Sequence, residues 1–132
     1  MVRRMISIVM AGAVALAVIP AAAQAQSASP HNQCFYPNEW SGWKASPDSK
    51  SIYLRVGINR IYRLDLAGAC EELQMPDARL ITKIRGSDTF CNALDFDLSV
   101  SSPPGIPIPC IVSKMTELTP DEAAALPKKL RP

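Results

Sequence analysis

Four cysteines, Cys34, Cys70, Cys91 and Cys110, limit what this chain can fold into more than any other feature. Their gaps of 36, 21 and 19 residues hold no C-x-x-C, so neither a thioredoxin-like redox motif nor a regular zinc spacing is present. An even number of cysteines behind an export segment reads as a disulfide framework. The chain carries such a segment. Arg3 and Arg4 precede an apolar run of 15 residues at 5–19, then Pro20 and the small-residue stretch Ala21-Ala22-Ala23-Gln24-Ala25. A membrane helix needs about 20 apolar residues. The shorter run with its A-x-A site is the three-part pattern of a secretory signal peptide. Val2 and Met5 do not fit the fuller twin-arginine pattern, so the general export route is expected. Residues 1–25 are therefore read as signal peptide and 26–33 as a flexible leader. A disulfide-stapled domain follows at 34–127 and a basic tail at 128–132. No membrane span is expected after cleavage.

Between the cysteines the chain alternates. In 51–56 Ile52, Leu54 and Val56 interleave with Tyr53 and Arg55. In 60–66 Tyr62, Leu64 and Leu66 interleave with Arg63 and Asp65. A period of two gives strands with one dry and one wet face. Gly57-Ile58-Asn59 between them is a turn. A five-residue loop would set Arg55 against Arg63, and facing like charges are unfavourable. A three-residue loop instead opposes Val56 to Arg60, Leu54 to Tyr62 and Tyr53 to Arg63, with Asn59 expected in the left-handed conformation. Tyr53 beneath Arg63 would be a cation–π pair worth ~0.5–1 kcal/mol.

Further strands are expected at 40–44, at 79–85, at 94–100 (Leu94, Phe96, Leu98 and Val100 on one face) and at 110–118. Glu71-Glu72-Leu73 suggests one helical turn. The stretch 101–109, SSPPGIPIP, holds four prolines and reads as a stiff loop that no central strand accommodates. Thr119-Pro120-Asp121-Glu122 is a capping box opening a short helix. The expected fold is mostly β: a six-stranded antiparallel meander, curled into a small barrel or folded as a sandwich, with a short C-terminal helix and two disulfides. If the strands alternate direction, Cys34 and Cys91 fall at one end and Cys70 and Cys110 at the other. Cα atoms beyond about 7 Å cannot be bridged, so Cys34–Cys91 and Cys70–Cys110 are favoured. A crossover at 67–78 would undo that parity.

The chemistry-bearing residues are sparse. Loss of Arg3 and Arg4 leaves 12 cationic against 12 acidic side chains, a net charge of 0, which argues against nucleic acid. The single histidine, His31, sits in the leader with no base or nucleophile beside it. No G-x-S-x-G, P-loop or H-E-x-x-H occurs. No catalytic residue, metal ligand or cofactor is assigned. Asp95 and Asp97, with Asp88 near, form the best acidic cluster. On one strand they would share a wet face about 7 Å apart, as an acid/base pair or a calcium site, or as a solvated strand face. Tyr53, Arg55 and Arg63 make a candidate contact surface. Lys83 and Arg85 would extend it into a basic stripe, or mix with Asp65, Asp95 and Asp97. Trp40, Trp43, Tyr53 and Tyr62 offer either a sugar- or peptide-binding platform or sheet core. Lys128, Lys129 and Arg131 would meet anionic envelope polymer or water.

The runs YLRVG, IYRLDLAGAC, LITKIRGSDTFC, ALDFDL, CIVSKMTELT and TPDEAAALPKK resemble, in that order, a domain-of-unknown-function family of small exported proteobacterial proteins. The likeness spans 34–127. It implies an exported β domain with the cysteines as framework and carries over no site residue. Three functions follow as expectations. One is a non-catalytic envelope module binding a protein or a surface polymer. Another is a secreted hydrolase inhibitor acting through loop 101–109, pre-organised by its prolines. The third is a small enzyme using Asp95 and Asp97.

Overall fold

A computed structural model describes residues 34–86 and 88–132; the signal peptide, leader and His31 lie outside them. Among the described residues seven strands and one short α-helix follow in chain order. They are β1 (Trp40–Ala45), β2 (Ser51–Val56), β3 (Arg60–Leu66), β4 (Arg79–Ile84), β5 (Phe96–Ser101), β6 (Ile108–Pro109), β7 (Val112–Glu117) and α1 (Pro120–Ala125). They form two antiparallel sheets, ordered β1-β2-β3-β7 and β4-β5-β6. The single six-stranded meander is thus corrected. The extra strand is β6, where Ile108 and Pro109 leave the proline-rich loop and pair with Val100 and Ser99. It sits at a sheet edge, where a residue without an N–H is tolerated. Among the described strands no barrel closes; both sheets contribute to one core, the arrangement of a small sandwich.

The hairpin of β2 and β3 has the three-residue-loop register, with Val56 opposite Arg60, Leu54 opposite Tyr62 and Tyr53 opposite Arg63. Its left-handed residue is Gly57 (φ 61°) rather than Asn59. Glycine meets no Cβ clash there, and its N–H is taken by the Glu39 carbonyl at 2.8 Å. Ile52, Leu54, Val56, Tyr62 and Leu64 are fully buried. They meet Phe96, Leu98 and Val100 of the second sheet in the core.

The sheets part because of the connection 67–78. It crosses the end of the first sheet, where Cys70 N–H bonds the Ser49 carbonyl (2.9 Å) and the Gln74 amide bonds the Ser46 carbonyl (2.9 Å). A 3-10 turn, Glu71–Gln74, buries Leu73 in the core. β4 then begins a new sheet, and the free edge of β3 is taken by β7.

The disulfides are Cys34–Cys91 (Cα–Cα 4.0 Å) and Cys70–Cys110 (6.0 Å). The pairing agrees with the parity reading although the meander does not exist. Cys70 follows β3 and Cys110 precedes β7, and these strands are direct antiparallel neighbours with Leu66 opposite Val112. Cys34–Cys91 lies one residue beyond a two-bond bridge between Phe35 and Phe90. Those two rings pack with Tyr62 and Phe96, centroids 4.2–6.4 Å apart. This cluster clamps the sheets together.

Candidate functional site

Tyr53 and Arg63 face the same side of their sheet, and α1 closes over them. Together with Leu118, Glu122, Leu126 and Pro127 they line an open groove of about 260 Å³. The helix is placed by its capping box: Thr119 Oγ1 accepts from Glu122 N–H (3.3 Å) and the Glu122 carboxylate accepts from Thr119 N–H (2.8 Å). The Thr119 N–H and its hydroxyl (3.1 Å) both donate to the Glu122 carboxylate and, with Arg63 nearby, hold that carboxyl below the ordinary carboxylate value. Arg63 is itself engaged by Asp65 at 3.1 Å. The cation over an aromatic ring is Arg60 on Tyr62, 5.8 Å from its centroid, in place of the expected Arg63 on Tyr53.

Arg55 stands outside this groove. Its guanidinium donates to the Pro132 carbonyl. The basic tail folds back as a strap. Lys128–Leu130 form a 3-10 turn, and Arg131 returns to the Leu126 (2.8 Å) and Ala124 (2.6 Å) carbonyls at the end of α1. Of the four aromatics considered as a platform, Tyr62 is fully buried and Trp40 and Trp43 pack partly against the core.

The acidic pair is split. Asp95 lies in a 3-10 turn, Ala93–Asp95, and accepts from the N–H groups of Cys91 (2.7 Å) and Asn92 (2.9 Å). Asp97, on β5, pairs with Arg85 at 3.2 Å. One carboxylate is a cap and the other a surface ion pair, so they do not converge on a substrate. Among the described residues no group of three or more His, Cys, Asp or Glu side chains is arranged to hold a metal ion.

The surface that sequence reasoning missed surrounds 108–111. The Asn92 cap, with Oδ1 accepting from Leu94 N–H at 2.8 Å, turns Leu94 outward to 81% exposure instead of into a strand's dry face. Ile111 is 72% exposed across the same groove of about 230 Å³, which also touches Phe96, Asp97 and Pro109. On its other side Ile111 borders a second groove of about 200 Å³ against Ala67, Gly68 and Ala69. The segment 108–111 is thus a ridge between two grooves, tethered by Cys70–Cys110. Ile106, in the adjoining loop, is 78% exposed beside a turn closed by Gly105 N–H on the Ser102 carbonyl (2.7 Å). The signal for Leu94 was in the sequence: Asn92-x-x-Asp95 is a capping pattern.

The fold and surface define a class: a small, disulfide-stapled, two-sheet β domain with an exposed aliphatic ridge. The model of the Family of unknown function (DUF6491) matches residues 1–132, and the chain belongs to that family. Comparisons with curated proteins and with solved structures found no match.

Proposed function

We propose that this chain is an exported, non-catalytic protein-binding module that works in the periplasm or outside the cell and engages a protein partner through the 108–111 ridge. The signal-peptide pattern at 1–25 supports export, and two disulfides suit an oxidising compartment. The observation that carries the binding reading is the aliphatic pair Leu94 and Ile111, largely exposed on either side of one groove. Adjoining apolar side chains left in water mark contact surfaces on soluble domains. They favour a protein over a charged envelope polymer, which would use cations instead.

The full exported chain, immobilised and challenged with envelope extract, tests this. Retention of a partner by the wild type and its loss with Leu94→Ser plus Ile111→Ser, at unchanged melting temperature, supports the module. Equal retention by both proteins, or none by either, overturns it. The exposure of Ile106 favours a second reading, a hydrolase inhibitor whose loop 101–109 enters a cleft. In that case the captured protein is a hydrolase, and Ile106→Ser alone abolishes its inhibition.

A further inference from the structure

We propose that the open edge of β4 takes up an extended, acidic segment of a partner protein as an added strand. The outer edges of the two sheets are β1, β7, β6 and β4. The strap at 128–132 lies over the face of β1, with the Pro132 carbonyl carbon 3.8 Å from where a Cβ on Gly42 would stand. The turn Ala93–Asp95 lies against β7. β6 is two residues long and ends in Pro109. β4 runs for six residues, and β5 is its only neighbour among the described strands. Its backbone polarity follows from one bond. Arg85 N–H donates to the Asp95 carbonyl across the sheet at 2.9 Å. Antiparallel pairing alternates between bonded and non-bonded positions. The N–H and C=O groups of Leu80, Thr82 and Ile84 therefore face the open side, and those of Arg79, Ile81 and Lys83 face β5.

The side chains choose the occupant. Arg79, Ile81 and Lys83 are exposed in a row on the outer face. Arg85 beyond them is paired with Asp97, which stands opposite Lys83 across the sheet, whereas Arg79 and Lys83 make no ion pair within 4.0 Å among the described residues. A second copy of this chain does not fit. Antiparallel self-pairing centred on Thr82 sets Arg79 opposite the other copy's Arg85, and pairing centred on Ile81 sets Arg79 opposite its Lys83. Like charges directly opposite destabilise a pair. Lysine and arginine on an edge deter such self-association, and the same charges favour a strand with acids at alternate positions. Added-strand recognition takes its affinity from main-chain bonds and its specificity from alternate side chains. This surface is separate from the 108–111 ridge, so either can fail alone.

The probe is an acetylated heptapeptide of alternating valine and glutamate, titrated into the full exported chain with its disulfides intact. Binding with slowed amide exchange at Leu80, Thr82 and Ile84 is expected. Replacing glutamate by glutamine in the peptide, or Arg79→Glu with Lys83→Glu in the protein, should each weaken binding about tenfold, the scale of two lost cross-strand charge pairs. The doubly reversed protein should prefer the corresponding lysine peptide, which also shows that it remains folded. Absence of binding, equal affinity for the glutamine peptide, or protection that falls elsewhere than on these three amides overturns the proposal.

Discussion

The two sheets of this domain are built from similar alternating sequence and end up in opposite situations. In the first, β2 and β3 have neighbours on both sides and their inward side chains are fully buried. Tyr62 adds a polar rung: its hydroxyl donates to Glu117 Oε2 (3.0 Å) and accepts from Arg60 (3.2 Å), which also reaches Glu39 (3.1 Å). This rung ties β3 to β7 and to the turn before β1. In the second sheet one flank is open, the other is two residues long, and Ile81, Leu94, Ile106 and Ile111 stand in or beside it with much of their surface in water. A strand with two neighbours is committed to the fold. One with a single neighbour keeps half of its backbone groups available. The first sheet is the frame, and the second presents surface.

The largest way to break that contrast is to cut a staple. In the chain-entropy account, closing loops of 40 and 57 residues contributes about 4 kcal/mol each. Against a typical domain stability of about 5–15 kcal/mol, chemical denaturation after reduction should show a domain close to unfolding. If Cys70→Ala with Cys110→Ala left the midpoint where it was, the tether at the ridge would be dispensable. Next comes burial. Leu54→Ala, in the fully buried row of β2, should cost about 3 kcal/mol. Ile81→Ala, on the outer face of β4, should stay within about 0.5 kcal/mol. Equal costs in urea titrations would erase the distinction between frame and surface.

A smaller effect belongs to the polar rung. Tyr62→Phe leaves Glu117 without its donor and should cost about 1–2 kcal/mol. It also changes the alkaline limb. Burial and the Glu117 carboxylate push the Tyr62 hydroxyl up to about 12 from 10.0. A folded value above the unfolded one gives stability that is complete below pH 10 and lost as pH rises from 10 towards 12. Thermal melts across that range should show a decline that the Phe variant lacks. Asn92→Ala, which removes the cap under Leu94, should cost about 1 kcal/mol and weaken partner retention more than a surface change of equal stability cost would.

The sequence was legible where short-range physics decides. The alternation in 51–66 and the aversion of Arg55 for Arg63 were enough for β2, β3 and their register. The pattern Thr119-Pro120-Asp121-Glu122 was enough for the start of α1. It was not legible where two local rules compete. At 92–96 the alternation of Leu94 with Phe96 competes with the Asn92–Asp95 cap. The cap wins, because Asp95 satisfies two N–H groups that a strand would leave to a neighbour. The separation into two sheets was hidden because the connection 67–78 is long enough either to turn back or to cross over. Only Leu73 dropping into the core and Gln74 reaching Ser46 select the crossing. The strap was hidden for another reason: Lys128, Lys129 and Arg131 read as solvated charge, and their docking depends on carbonyls at the end of α1 that exist only once the helix has formed. Of the candidate site, the residues named from sequence occupy the frame's wet face. Leu94 and Ile111, which carry the binding proposal, were assigned to strands.

Amide hydrogen exchange on the intact, disulfide-bonded chain reads both sheets at once. The contrast predicts slow exchange throughout the interior of β2 and β3, near the rate of global opening, and fast exchange at Leu80, Thr82 and Ile84 with protection retained at Ile81 and Lys83. Uniform protection along β4, matching that of β3, would contradict it.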